Sequence, residues 1–471
     1  MPCSFAFCVL PDRSQLEVRL LHQVGSRVSH VGDLVQAAII SPVFDHDTIL
    51  LPAGATVSGV VDHLDRRGLG LRHPVARLDL HFTQLHLSDG AVVPIDGRVA
   101  WIEEAREVVT KTGAVTGIQP SASLSTGVSC LFTLFLIGEP EFRLPILVFK
   151  FLAARSPDAE ITFPAGTEIV MRLNHDATVP NPATYKPAVP LLATSQIAEL
   201  QNLLATLPQQ QTSRNRKQPS DLINILLIGS QSEVERAFRA AGWNGTEPHG
   251  IIALYRMYHC MVQRAGYRRA PMTSLKFAGN PPDDAFQKSL DTLAKRHHIR
   301  LWHEKRSGVW LGAATEDVKY EFRALHLTHG IDRYIDNERA KVVNDLTFTG
   351  YIDRGALVPR TSLNRIQKDA NSILTDGDVA VLELNACNNP HLMQSDPKTP
   401  QPVRSIRVAL AVGEDIARSN PVSVGYAMTK SIFDNSKTRS NESVRASAMY
   451  TRGVAISSIR DTTPSRVLAL R

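Results

Sequence analysis

Histidine, arginine, carboxylate and tryptophan crowd residues 296–339 more densely than any other part of the chain. The stretch opens with Arg296-His297-His298-Ile299-Arg300-Leu301-Trp302, whose period-two alternation predicts a strand. That period places Arg296, His298, Arg300 and Trp302 on one face and His297, Ile299 and Leu301 on the other. His298 and Arg300 project together and are the better candidates for chemistry. His297 sits with the apolar set and reads as a core histidine satisfied by a hydrogen-bond partner. Further on, His326 and His329 are three apart, and Asp332 and Asp336 four apart. On a continuous helix each pair would share a face, and histidine with carboxylate is a donor set for zinc or iron. Gly330 interrupts the run, so the competing reading is a polar loop capping the helix that follows Asp332 or Asp336. For a divalent metal the candidates are His298, His326, His329 and Asp332. For catalysis or anion binding they are Arg296, His298, Arg300, Asp336, Glu338 and Arg339.

The elements that must position these groups are legible in part. Glu304 to Gly308 reads as a turn into a second strand, Val309 to Thr315, completing a hairpin. Gly312 and Ala314 share a face with Trp310 there, leaving room for a bulky neighbour. Upstream, Ile223 to Gly229 is a buried strand, and Ser230 with Glu233 forms a capping box. Val234, Ala237, Phe238 and Ala241 then make one helical face, which Gly242 is placed to end. A strand, a glycine and a helix N-terminus can hold a phosphate, but a single glycine without GxGxxG or GKS/T points to fold structure. A second helix is expected over residues 250–263 and a strand over 274–277. The helix after the central stretch should reach Leu346, and residues 377–384 make a last strand.

The N-terminal region has a different grammar. Residues 15–102 alternate as strands, with Ala76, Leu78, Leu80 and Phe82 on one face and Arg77, Asp79 and His81 on the other. The phase slips at Thr83-Gln84, as a bulge requires, and Ser88-Asp89-Gly90 supplies a turn. One apolar and one wet face suit a small barrel or sandwich. Leu51-Pro52-Ala53-Gly54 recurs as Phe163-Pro164-Ala165-Gly166, each copy followed by more alternation. These copies resemble the β-modules of envelope proteins from conjugative-transfer and type IV secretion systems. Between residues 176 and 220, prolines and Gln209-Gln210-Gln211 mark a linker. Within it Ile197, Leu200, Leu203, Leu204 and Leu207 share a helical face, predicting a short docked helix.

The balance of charge is confined to one end. Of the formal +6, residues 401–471 supply all, with 11 Lys/Arg against 5 Asp/Glu, so the first 400 residues are neutral. A basic, Ser/Thr/Asn-rich segment of this kind reads as disordered, and no specific nucleic-acid reader is apparent. The cysteines Cys3, Cys8, Cys130, Cys260 and Cys387 show no CxxC pair and no scaffold spacing. Two apolar runs, Gly127 to Ile137 and Leu144 to Leu152, are each too short to span a bilayer. Buried helices or a membrane-surface segment remain as readings of them. Met1 to Leu10 is apolar but lacks a basic n-region. The location is therefore the bacterial envelope or periplasm if the start lies upstream, and the cytoplasm otherwise.

Several motifs in order resemble the LssY C-terminal domain family of bacterial proteins. The carriers are Ile225-Leu226-Leu227-Ile228-Gly229, Ala240-Ala241-Gly242-Trp243, Phe286-Gln287 and the stretch from Arg296 to Trp302. Val309 to Thr315, Thr328-His329-Gly330-Ile331-Asp332, and Asp336, Glu338 and Arg339 complete them, over roughly residues 221–384. The family takes its name from a component associated with a bacterial type I secretion locus. The resemblance implies relatives attached to membrane segments, including DedA-like and lipid-phosphatase-like ones. It carries over no catalytic residue.

The chain thus reads as α+β and multi-domain. A β-rich region over 1–175 is followed by a Pro/Gln-rich linker over 176–220, a mixed α/β LssY-like domain over 221–384, and a basic tail over 385–471. Two functions stay open. One is an envelope-associated binding or scaffold protein with an envelope-protein or membrane-surface partner. The other is a metal-dependent hydrolase of phosphate esters or similar anionic substrates. His297→Ala is expected to cost about 1–3 kcal/mol of stability. His298→Ala and Arg300→Ala should weigh less on stability and more on ligand or metal binding, as thermal melts with metal content would check.

Overall fold

A computed structural model describes residues 7–45, 48–67, 75–119, 157–180, 189–208, 210–213, 219–273, 275–305, 307–323, 326–360 and 373–386, with Cys130 and Pro145 standing alone. The two apolar runs of 127–152 and the basic tail beyond 386 otherwise lie outside the described residues.

The N-terminal region is a closed six-stranded barrel, which settles the choice between barrel and sandwich. Its strands are β1 (Gln15–Leu20), β2 (Leu34–Ile39), β3 (Thr56–Asp65), β4 (Arg77–His86), β5 (Val92–Ile102) and β6 (Glu168–Leu173). Each pairs antiparallel with the next, and β6 returns to pair with β1. Closure leaves no open edge among these six strands. Leu78, Leu80, Phe82 and Leu85 point into one core with Val18, Val57, Val99 and Met171. The shift from Phe82 to Leu85 is the expected bulge, where pairing with β5 jumps from Phe82↔Gly97 to Gln84↔Pro94.

The two Pro-Ala-Gly copies belong to one barrel. Gly54 and Gly166 both take positive φ, 96° and 86°, which glycine adopts without a Cβ penalty. Gly54 N–H donates to Ile39 O at the end of β2, and Gly166 N–H to Leu20 O at the end of β1. Ile39 N–H and Leu20 N–H donate back to Ala55 O and Thr167 O. The same turn thus launches β3 and β6.

The C-terminal domain is a mixed sheet with helices on both faces. Its strands are β7 (Ile225–Ile228), β8 (Asp284–Lys288), β9 (Arg296–Glu304), β10 (Val309–Arg323), β11 (His326–Ile331), β12 (Ile352–Pro359) and β13 (Asp378–Leu384). They run in the order β8-β9-β10-β7-β13-β12, with β11 also on β10 and only β7–β13 parallel. Helix α1 (Thr194–Thr206) packs Ile197, Leu200 and Leu204 against one face, as its periodicity predicts. Helices α2 (Gln231–Ala240) and α4 (Ile335–Phe348) cover the other through Val234, Phe238, Val342, Val343 and Leu346. The room beside Gly312 is filled by Ile299, Ile225 and Leu301, which a Cβ there would meet at 3.0–3.2 Å. Between α2 and β8 lies α3 (Ile251–Gln263), which joins neither core.

Residues 326–331 form a strand, so the helical pairing of His326 with His329 is corrected. Strand β10 runs on to Arg323 and the chain folds back to pair with it. Asp332 lies in the loop beyond, its Oδ1 accepting Tyr334 N–H at 3.1 Å. Helix α4 starts at Ile335.

Where the barrel meets this domain, Glu107 is buried beside Arg106, with Nε to Oε1 at 3.1 Å. Burial and Asp291 push its carboxyl up to about 6 against the pull of Arg106. A raised carboxyl favours the fold fully below the unfolded value near 4.5 and loses that contribution as pH passes about 6. Glu107→Gln should therefore be nearly silent at about pH 4 and stabilising by on the order of 1–2 kcal/mol near pH 7. Denaturant melts across that range test this.

Candidate functional site

Both faces of β9 are buried, and this changes the reading of its side chains. The predicted alternation holds: Ile299 and Leu301 enter the core shared with α2 and α4, and Trp302 enters the one shared with α1. The polar face, however, does not meet solvent. His298 is 3% and Arg300 5% exposed. Arg300 Nη1 donates to Asp221 at 2.9 Å, Arg296 Nε to Asp317 at 2.8 Å, and Arg296 Nη1 to Gln287 at 3.1 Å. His298 Nε2 meets Thr315 Oγ1 at 2.9 Å. These groups tie β9 to β8, β10 and the chain before β7. No metal-ligating group of three among the described residues includes His298 or Asp332. The side chains of His326 and His329 lie outside the described residues.

Asp336 and Arg339 form a second tie. Arg339 grips Asp376 through Nη1 and Nη2 at 2.8 and 2.7 Å, while Asp336 accepts Thr375 Oγ1 and Asp376 N–H. Together they lash the first turn of α4 to the chain entering β13.

Glu338 goes elsewhere, to His297. Its Oε2 lies 2.7 Å from His297 Nδ1, and the other ring nitrogen, Nε2, faces Glu103 Oε2 at 3.3 Å and Glu104 Oε1 at 3.8 Å. His297 is 1% exposed and has its partner, as a core histidine should. It is not a neutral one. Burial alone would lower its pKa, but Glu338, Glu103 and Glu104 outweigh burial and hold it well above 6.5. Glu104 is 3% exposed, neither of its oxygens has a hydrogen-bond partner, and its backbone sits at φ 53°. Burial, and then Glu316 and Glu103, raise its carboxyl well above the usual range despite the pull of His297.

Beside this cluster the barrel is pinned to α4 by buried charge. Arg19 Nη2 reaches Glu168 Oε1 at 2.6 Å and Asp345 Oδ1 at 2.9 Å. Lys288 Nζ reaches Glu168 Oε1 at 2.5 Å and Asp345 Oδ2 at 3.0 Å. Lys341 pairs with Glu168 and, at 2.7 Å, with Asp345. Trp243 Nε1 donates to Asp345 Oδ2 at 2.9 Å. Burial would raise the Glu168 carboxyl, but Lys288, Lys341 and Arg19 hold it well below the usual range. A pocket of about 110 Å3 opens between the two clusters, lined by Glu103, Glu104, Glu168, Lys288, His297 and Arg268 among others.

Of the residues singled out in sequence, Glu338 alone reaches this pocket's histidine. Glu103, Glu104, Lys288, Lys341 and Asp345 carried no recognised motif. One signal was present: Glu168 stands in the second Pro-Ala-Gly copy where the first has Thr56. An acid replacing threonine at an otherwise repeated strand entry marks a position with a partner.

A closed barrel set against a mixed α/β domain defines the class of this protein. Residues 204–379 match the family model described as LssY C-terminus, and the C-terminal domain is of that family. No curated protein matches the chain. Among solved structures it is similar to ComB10 of the Com type IV secretion system of Helicobacter pylori, at 11% identity and a TM-score of 0.21. That similarity covers 37% of this chain and 92% of ComB10.

Two substitutions test the buried charges. Lys341→Met leaves Glu168 and Asp345 short of a cation and should cost about 3–5 kcal/mol. Arg300→Ala takes the buried guanidinium away from Asp221 and should cost a similar amount, about 3–5 kcal/mol, contrary to the mild effect its sequence face implied. Equilibrium urea unfolding of each variant provides the measurement.

Proposed function

We propose that this protein is an envelope-associated binding protein whose C-terminal domain docks on an anionic membrane surface through α3. The supporting observation is the exposure of that helix. Ile251, Ile252, Leu254 and Met261 are 84, 64, 59 and 59% exposed, and Tyr255, Met257 and Tyr258 are exposed as well. Only Ala253 is buried. A contiguous apolar surface of this kind is costly in water and characteristic of an interaction site. Lipid is the occupant that fits. Arg256, Arg264, Arg268 and Arg269 are exposed on α3 or just after it; Arg256 and Arg269 share Glu247 as counter-ion, which leaves the rim net cationic and suited to anionic headgroups. Tyrosines with an apolar ring and a polar hydroxyl suit the boundary between headgroup and chain. Thirteen residues span about 20 Å, short of the ~30 Å hydrocarbon core, so the helix lies in the interface plane. Among the described residues no helix is long and apolar enough to cross a membrane.

The full chain should co-sediment with phosphatidylcholine vesicles that contain phosphatidylglycerol, and less with phosphatidylcholine alone. Ile251→Ser with Leu254→Ser should leave stability intact and weaken vesicle binding by about 1–2 kcal/mol per side chain. A wild-type chain that ignores both vesicle types, or binds as well with the double substitution, would overturn the reading.

A further inference from the structure

Beside His297, the buried carboxyl of Glu104 has no hydrogen-bond partner on either oxygen. We propose that Glu103, Glu104 and His297 Nε2 form a binding site for a first-row divalent transition cation, zinc or manganese, where the barrel meets the LssY-like domain. Their donor atoms, with His297 as the nitrogen ligand, lie within 4.8 Å of one another. Metal–ligand bonds of about 2.0–2.1 Å in a tetrahedron set the ligands about 3.4 Å apart. The separations of 3.3 and 3.8 Å from Nε2 to Glu103 and Glu104 lie on either side of that distance. An ion would replace the Nε2 proton with only small side-chain movements.

Two further observations point to an ion rather than to a salt bridge alone. Glu104 is buried with both oxygens lacking hydrogen-bond partners, on a left-handed backbone that only its surroundings hold in place. A carboxylate kept there without a donor is suited to a cation. Glu338, 2.7 Å from Nδ1, completes the carboxylate–histidine arrangement that orients a metal-bound imidazole and leaves Nε2 for the ion. The nitrogen ligand favours zinc first, and manganese, which takes oxygen ligands more readily, second; magnesium takes oxygen ligands and keeps its waters. The adjoining pocket, lined by all three ligands, leaves a coordination position for water or an anionic ligand. The ligands come from both sides of the seam, Glu103 and Glu104 following β5 and His297 on β9, so the ion would fasten the domains together.

This site is independent of membrane docking by α3. The full chain, stripped with EDTA, is titrated separately with Zn2+, Mn2+ and Mg2+, with bound metal counted and melting followed by calorimetry. We expect one zinc or manganese ion per chain, no stoichiometric magnesium, and a melting temperature that rises with the ion. Glu104→Gln keeps the side chain's shape, so the variant should fold, but it cannot offer a carboxylate to the ion. It should lose at least about tenfold in affinity together with the ion-dependent rise in melting temperature. Glu338→Gln should weaken binding by about 10- to 100-fold. Asp332→Asn, in the loop after β11, should bind as wild type does. Absence of stoichiometric binding in the wild type, or equal affinity in Glu104→Gln, overturns the site.

Discussion

The structure depends on a knot of buried charge in which Arg19, Lys288 and Lys341 surround Glu168 and Asp345. Ions of this kind are costly to bury singly and tolerable only together, because each supplies what another lost on leaving water. The knot draws its members from β1, β6, β8 and α4, so it forms only when barrel and sheet have both folded and met. Helix α4 shows the consequence. It is buried on nearly all sides, with Val342, Val343 and Leu346 in the sheet's core and Lys341 and Asp345 turned to the barrel. An isolated C-terminal domain would leave that charged face to water. Asn344, bonded to Ser41 at 3.0 Å, adds an uncharged contact across the same seam.

The barrel prepares its side of this seam by closing on itself. Its first five strands fall within residues 15–102, but the sixth begins only at Glu168. The turn before it is the one already used before β3, so a local device serves a distant closure. The return of β6 between β1 and β5 brings Glu168 beside Arg19. The end of β5 delivers Glu103 and Glu104 to the same rim. Closure of the sheet and assembly of the acidic rim are thus one event.

On the other side, β9 sorts its residues by alternation, and the two faces have different duties. Arg296, His298 and Arg300 are matched one by one by Asp317, Thr315 and Asp221, so that face holds the sheet to the short strand Pro219–Leu222 that precedes β7. The opposite face carries His297 out of the apolar row of Ile299 and Leu301 to the seam, where Glu338, Glu103 and Glu104 face its ring nitrogens. Both ring nitrogens of His297 are met by carboxylates there, while Glu104 beside it is buried with neither oxygen hydrogen-bonded. Helix α3 lies outside both cores, apart from this buried centre.

Much of the local structure was determined by sequence alone. The alternation of β4 with its bulge, the hairpin of β9 and β10, the capping box of α2 and the docked face of α1 are all set by neighbours within a few residues. The domain's family was legible for the same reason, since its motifs are short and ordered along the chain. Tertiary structure decided the rest. Whether a polar face of a strand meets water or a buried partner cannot be read from its period, so His298 and Arg300 looked available when they were already bonded. Likewise, His297 looked like an inert core residue because Glu103 and Glu104 lie nearly 200 positions earlier. Their partnership exists only because β6 closes the barrel and buried charge presses its rim onto α4 and β9.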